Sequence, residues 1–199
     1  MQKHLLSILW LFISSFIYSA TINIPENYPT IQGGIDAATT GDTVFVSIGT
    51  YSSETGEHFP IVMTSNINLI GGDEETTILD AEQTGSVITM DNCENTTISN
   101  LTITGGAGTN GGGMHLWSSD PLLKHLTITN NTSYSDGAGM YLYDSNALLS
   151  NVTLSHNVTY SNGGGMYIKS SDPILTHVTI SNNISEEGQG IFSYNSNLT

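Results

Sequence analysis

The chain has 199 residues and a formal net charge of −15, from three Lys, no Arg and 18 Asp plus Glu. So acidic a surface repels phosphate backbones, which makes nucleic acid and anionic membranes poor partners, and no nucleic acid partner is expected. The lone cysteine, Cys93, excludes an intrachain disulfide framework and reads as a small apolar residue. Solubility or a salty medium accounts for the acidity without a metal.

The first element is an apolar run from Leu5 to Ile17, preceded by Lys3 and followed by Tyr18-Ser19-Ala20. A positive charge, a short apolar stretch and a closing small residue predict a secretory signal peptide over residues 1–20. The run falls short of the roughly 20 apolar residues a spanning helix needs, and Ser14 and Ser15 weaken it. No later stretch could cross a bilayer. The mature chain is therefore expected to be secreted or displayed at the cell surface.

Next comes Ile24-Pro25-Glu26-Asn27-Tyr28-Pro29-Thr30-Ile31-Gln32-Gly33-Gly34-Ile35-Asp36-Ala37-Ala38, then Gly41-Asp42-Thr43-Val44-Phe45-Val46 and Gly49-Thr50-Tyr51. This stretch resembles the opening of pectin-lyase-like right-handed β-helix proteins. The resemblance implies a short helix that caps the first coil, and Ile31, Ile35 and Ala38 share one face at helical spacing. Residues 21–50 are thus assigned to an N-terminal cap and first strand, and 51–199 to coils.

The coils are legible as an internal repeat. Copies start at Gly111, Gly137, Gly163 and Gly188, a near-constant period of about 26 residues. A looser copy precedes them, in which Ile98, Leu101 and Ile103 repeat the mutual spacing that Leu123, Leu126 and Ile128 show one period later. Within a copy, apolar and polar residues alternate: Met114 and Leu116 with His115 and Trp117, Leu126 and Ile128 with Thr127 and Thr129. A period of two means strands. A unit this short, without a helix, cannot hold a helical crossover but is long enough for one solenoid coil. The predicted fold is all-β, a right-handed parallel β-helix with a short N-terminal capping helix.

Stacked coils place equivalent residues in columns: Met114, Met140, Met166 and Ile191; Leu116, Leu142 and Ile168; Leu126, Val152 and Val178; Ile128, Leu154 and Ile180. Asn131, Asn157 and Asn183 recur at one turn and predict an internal hydrogen-bonded ladder. All three head sequons, and the chain holds eight sequons in total. Several fall on consecutive coils about 5 Å apart, too close for glycans. The GGGMY and TISNN segments are similar to repeats of bacterial surface β-helix proteins, including chlamydial polymorphic outer-membrane proteins. The resemblance spans residues 22–199 and speaks to fold, since this architecture hosts lyases, esterases, hydrolases and adhesins alike.

Candidate chemistry is sparse. A pectate lyase or pectin esterase, by that resemblance, would place an Arg and clustered Asp on one sheet, and this chain has no Arg. Asp120 and Asp172 are two coils apart, near 10 Å by a strand spacing of about 4.8 Å, at the outer limit for a glycosidase pair. Each lies in Ser-Ser-Asp-Pro, where Asp suits a turn. Gly105 to Asn110 has no Asp and occurs once, so it is no calcium repeat. His115, His125, His156 and His177 do not cluster. No catalytic residue, metal or cofactor is predicted.

One sheet face stands out. Eight outward places, His115, Tyr141, Tyr167 and Phe192 with Trp117, Tyr143, Lys169 and Tyr194, hold six aromatic rings. Rings about 4.8 Å apart can stack on each other or offer a platform for sugars. The expectation is a monomeric binding or adhesion solenoid with polysaccharide as its favoured ligand, seated on Trp117, Tyr141, Tyr143, Tyr167, Phe192 and Tyr194. The rival is the N-terminal part of a carbohydrate-active enzyme, since Thr199 falls inside a coil and predicts a longer protein. A passive stalk is the third reading.

Overall fold

The computed structural model describes residues 19–199, so the signal-peptide segment lies almost wholly outside the described residues. Those residues wind into a right-handed parallel β-helix whose walls are three parallel sheets of nine, six and three strands. The predicted stacking holds residue for residue. Met114 pairs with Met140, Met140 with Met166, and Met166 with Ile191. On the nine-stranded sheet, Leu126 pairs with Val152 and Leu101, and Ile128 with Leu154 and Ile103. These inward columns join one apolar core running along the axis, with Met114, Leu116, Leu126, Ile128, Met140 and Leu154 solvent-free. Among the described residues no helix is long and apolar enough to cross a membrane.

The eight-residue strands Thr97–Thr104, Leu122–Thr129, Leu148–Ser155 and Ile174–Ser181 carry a bend that strict alternation does not foresee. In a straight strand Leu123 and Leu126 would face opposite ways, yet both are fully buried. The cause is one left-handed residue per strand: Asn100, His125, Asn151 and His177 have φ of 57°, 48°, 55° and 52°. Asn and His tolerate that region better than most side chains. Each bend resets the alternation and turns the wall a corner. His125 and His177 share a column at this left-handed corner.

The helix Ile31–Ala37 closes the first coil. The Thr30 side chain accepts the Gly33 N–H at 3.1 Å, and the buried Glu57 carboxylate accepts the Ile31 N–H. Ile31 and Ile35 are buried, and a Cβ on Gly34 would lie 2.7 Å from Ile24 Cδ1, so only glycine lets the helix approach the first strand this closely. Ala38 lies just past the helix as its C-cap and still packs on the core. Asp42 accepts the N–H groups of Ala20 at 2.7 Å and Thr39 at 2.8 Å, which ties the strand Thr21–Ile24 to the strand Thr43–Val46.

Candidate functional site

The ring-bearing face is the outer surface of the six-stranded sheet, on the strands Met114–Trp117, Met140–Tyr143, Met166–Lys169 and Ile191–Tyr194. Inward Met and Leu fix the register, so the residues between them must point outward, in two parallel columns. In the first column His115 meets Tyr141 edge-on at 5.2 Å, Tyr141 stacks on Tyr167 at 5.2 Å, and Tyr167 on Phe192 at 5.3 Å. In the second, Trp117 stacks on Tyr143 at 4.3 Å, and the Lys169 ammonium lies 5.2 Å above the Tyr143 ring.

The structure brings all six rings to one face but does not expose them equally. Tyr141 and Tyr167 are only 8% and 9% exposed, whereas Trp117 and Tyr194 are 45% and 55% exposed. Burial pushes the phenol pKa values of Tyr141 and Tyr167 upward, and the nearby Asp136 carboxylate adds to the shift. The first column is therefore mostly a packed wall, and the second offers the accessible aromatic surface.

Beneath Trp117 the ring column ends. In the preceding coil Asp91 is in register with Trp117 and Thr89 with His115. The step from rings to short polar side chains opens a cavity of about 190 Å³ lined by Thr89, Met90, Asp91, His115 and Trp117. Burial holds the His115 imidazole below the usual histidine pKa, with Asp91 acting in the opposite direction. His115 Nε2 is buried and has no hydrogen-bond partner. Thr89 and Asp91 carry no motif that marks them in the sequence; the signal that could find them is their place one repeat before His115 and Trp117.

Two side-chain ladders tie successive coils together. Asn131 Oδ1 accepts the Gly106 N–H at 2.8 Å, Asn157 Oδ1 the Asn131 N–H at 3.0 Å, and Asn183 Oδ1 the Asn157 N–H at 2.9 Å. Their amide nitrogens donate to Ile103, Ile128 and Leu154 carbonyls of the preceding coil. With both ends of each side chain engaged inside the wall, these sequons have no room for a glycan. A second ladder, of serines, is not among the sequence expectations: Ser119, Ser145, Ser171 and Ser196 accept the N–H groups of Cys93, Ser119, Ser145 and Ser171. It follows the second ring column closely along the chain and keeps the same repeat.

The outer carboxylates serve the backbone. Asp120 accepts the Asn146 N–H at 2.6 Å, Asn146 the Asp172 N–H at 2.8 Å, and Asp172 the Asn197 N–H at 2.7 Å. Asp120 and Asp172 thus brace a turn. Among the described residues no three His, Cys, Asp or Glu side chains converge as metal ligands.

A family model described as "Protein of unknown function (DUF1565)" matches residues 20–199. The chain belongs to the DUF1565 family. No curated protein matches this DUF1565 member. Among solved structures it is similar to a pectin methylesterase mutant in complex with a hexasaccharide. Identity is 12%, coverage is 91% of this chain and 89% of that one, and the TM-score is 0.49. The strand register of this DUF1565 chain itself defines the β-helix.

Proposed function

We propose that this DUF1565 member is an exported or surface-displayed binding protein whose ring-bearing sheet holds polysaccharide. One observation carries the reading: a hydrogen-bonded parallel sheet presents two in-register aromatic columns, one of them exposed at Trp117 and Tyr194. Aromatic rings on a flat, hydrogen-bonded scaffold supply apolar contact area at little cost in side-chain freedom. Sugar rings, with apolar C–H faces and polar hydroxyl edges, match a surface of rings bordered by Asp and Asn. The carboxylates that could have served glycoside hydrolysis in this segment are engaged with backbone amides instead.

Binding to a panel of immobilised polysaccharides tests the proposal. The native chain should retain at least one of them, and a Trp117→Ala/Tyr143→Ala double variant with an intact melting transition should lose it. Retention of none, or retention unchanged in the double variant, contradicts the reading.

A further inference from the structure

The cleft below Trp117 says which sugars the face takes. Tyr143 covers one indole face at 4.3 Å, and the other looks onto the coil that carries Thr89 and Asp91. The space of about 190 Å³ suits a single ring, since whole small-molecule sites run roughly 300–1,000 Å³. An aromatic face forms one wall and a carboxylate the other. Asn92 donates to Asp91 Oδ1 at 2.7 Å and fixes the orientation of that carboxylate. The His115 side chain completes the lining beside Trp117.

Resting on the binding reading above, we infer that this cleft seats one uncharged sugar residue of a polysaccharide and rejects uronates. The apolar face of the ring lies on Trp117 and its hydroxyls donate to Asp91. A uronate seated here would bring its carboxylate against Asp91 in a chain of net charge −15. The two cations among the described residues stand elsewhere. Lys169 lies over the Tyr143 ring, and Lys124 is on the nine-stranded sheet. Two like charges about 5 Å apart, incompletely screened, weaken binding at least about tenfold. The serine ladder joins the coils on either side of the cleft, since Ser119 accepts the Cys93 N–H and donates to the Trp117 carbonyl.

The test uses the full chain with Trp10→Phe, which leaves Trp117 as its single tryptophan. Its emission is titrated with gluco-, manno-, galacto- and xylo-hexaoses and with hexagalacturonate, and calorimetry runs in parallel. At least one neutral hexaose should bind and shift the emission, with hexagalacturonate at least about tenfold weaker. Asp91→Tyr would extend the ring column into the cleft. It should abolish binding while the melting temperature stays level or rises. Asp91→Asn keeps the shape and should weaken binding about tenfold, because hydrogen bonds to a charged acceptor are the stronger kind. Equal or tighter hexagalacturonate binding overturns the inference and leaves the binding reading standing. Neutral binding undiminished by Asp91→Tyr yet lost in the Trp117→Ala/Tyr143→Ala variant places the site elsewhere on the ring-bearing sheet and likewise overturns only the inference. No binding of any hexaose at millimolar concentration defeats both.

Discussion

Trp117 and Tyr143 stack with ring centroids 4.3 Å apart and planes 17° apart, closer than any ring pair of the neighbouring column. The pair sits where the column meets the cleft, so Tyr143 acts as the backing plate that holds the indole, while the opposite indole face stays open. Tyr143→Ala should therefore weaken binding of a neutral hexaose about fivefold without abolishing it, and lower stability by about 1 kcal/mol. Tyr143→Phe should restore both. Calorimetry and thermal melting check the pair of outcomes; a Phe variant as weak as the Ala variant would assign the effect to the hydroxyl.

The buried column is expected to matter for stability more than for binding. Tyr167 touches rings on both sides, Tyr141 at 5.2 Å and Phe192 at 5.3 Å. Tyr167→Ala should cost about 3 kcal/mol, from two lost stacks and the area they bury. Denaturant unfolding measures this directly, and a cost near zero would show that the stack is incidental.

Asn157 is the middle rung of the buried ladder. Its side chain accepts from Asn131 N–H and donates to Ile128 O, so Asn157→Ala strands a buried donor and a buried acceptor at once. The expected loss is about 2–4 kcal/mol by chemical denaturation. In an export host, mass spectrometry should find Asn131, Asn157 and Asn183 unglycosylated in folded protein.

Close coil stacking also fixes glycines. A Cβ on Gly139 would lie 2.4 Å from Gly165 O and 2.9 Å from Asn157 Nδ2. Both neighbours belong to the wall and cannot retreat, so Gly139→Ala should cost about 3 kcal/mol or more. A melting temperature unchanged by this substitution would contradict the inter-coil spacing.

Two carboxylates should give stability opposite dependences on pH. Asp42 is held below the usual carboxylate range by hydrogen bonds from Ala20 and Thr39. Its contribution is present above the unfolded aspartate pKa and is lost as pH falls through the depressed folded value. The stability gap between native chain and Asp42→Asn should thus be widest at neutral pH and shrink in acid. Burial pushes Glu57 upward, against backbone hydrogen bonds from Ile31 and Gln32. Its protonated form favours the fold, so that contribution is complete below the ordinary glutamate pKa and is lost as pH rises through the raised value. Relative to Glu57→Gln, the native chain should lose stability over that upper window. Melting curves between about pH 2 and about pH 7 separate the two signs; parallel curves for native chain and variants would contradict both.

The repeats made most of the fold legible, because equal coil lengths turn a sequence offset into a spatial column. From Gly111 onward the offset is nearly constant, and every pairing read from it is observed. Earlier coils vary: Thr21 pairs with Thr43, Thr43 with Asn68, and Leu69 with Ile98, so no single offset reveals them. The corner at His125 and its equivalents is invisible in the sequence because left-handed backbone leaves no strict compositional mark. The ring columns can be read there, but their unequal exposure cannot, since it depends on how each ring lies against its neighbours. The cleft is hidden because the coil carrying Asp91 lacks the Gly-x-Gly lead-in that aligns the later copies.

The most direct test of polysaccharide binding at this face is a crystal structure of the full chain with the tightest-binding neutral hexaose. One sugar ring should lie parallel to the Trp117 indole, on the side away from Tyr143, with a hydroxyl within hydrogen-bond distance of the Asp91 carboxylate. A hexaose bound away from the ring-bearing sheet, for instance along Tyr134 and Tyr160 on the three-stranded side, would contradict it.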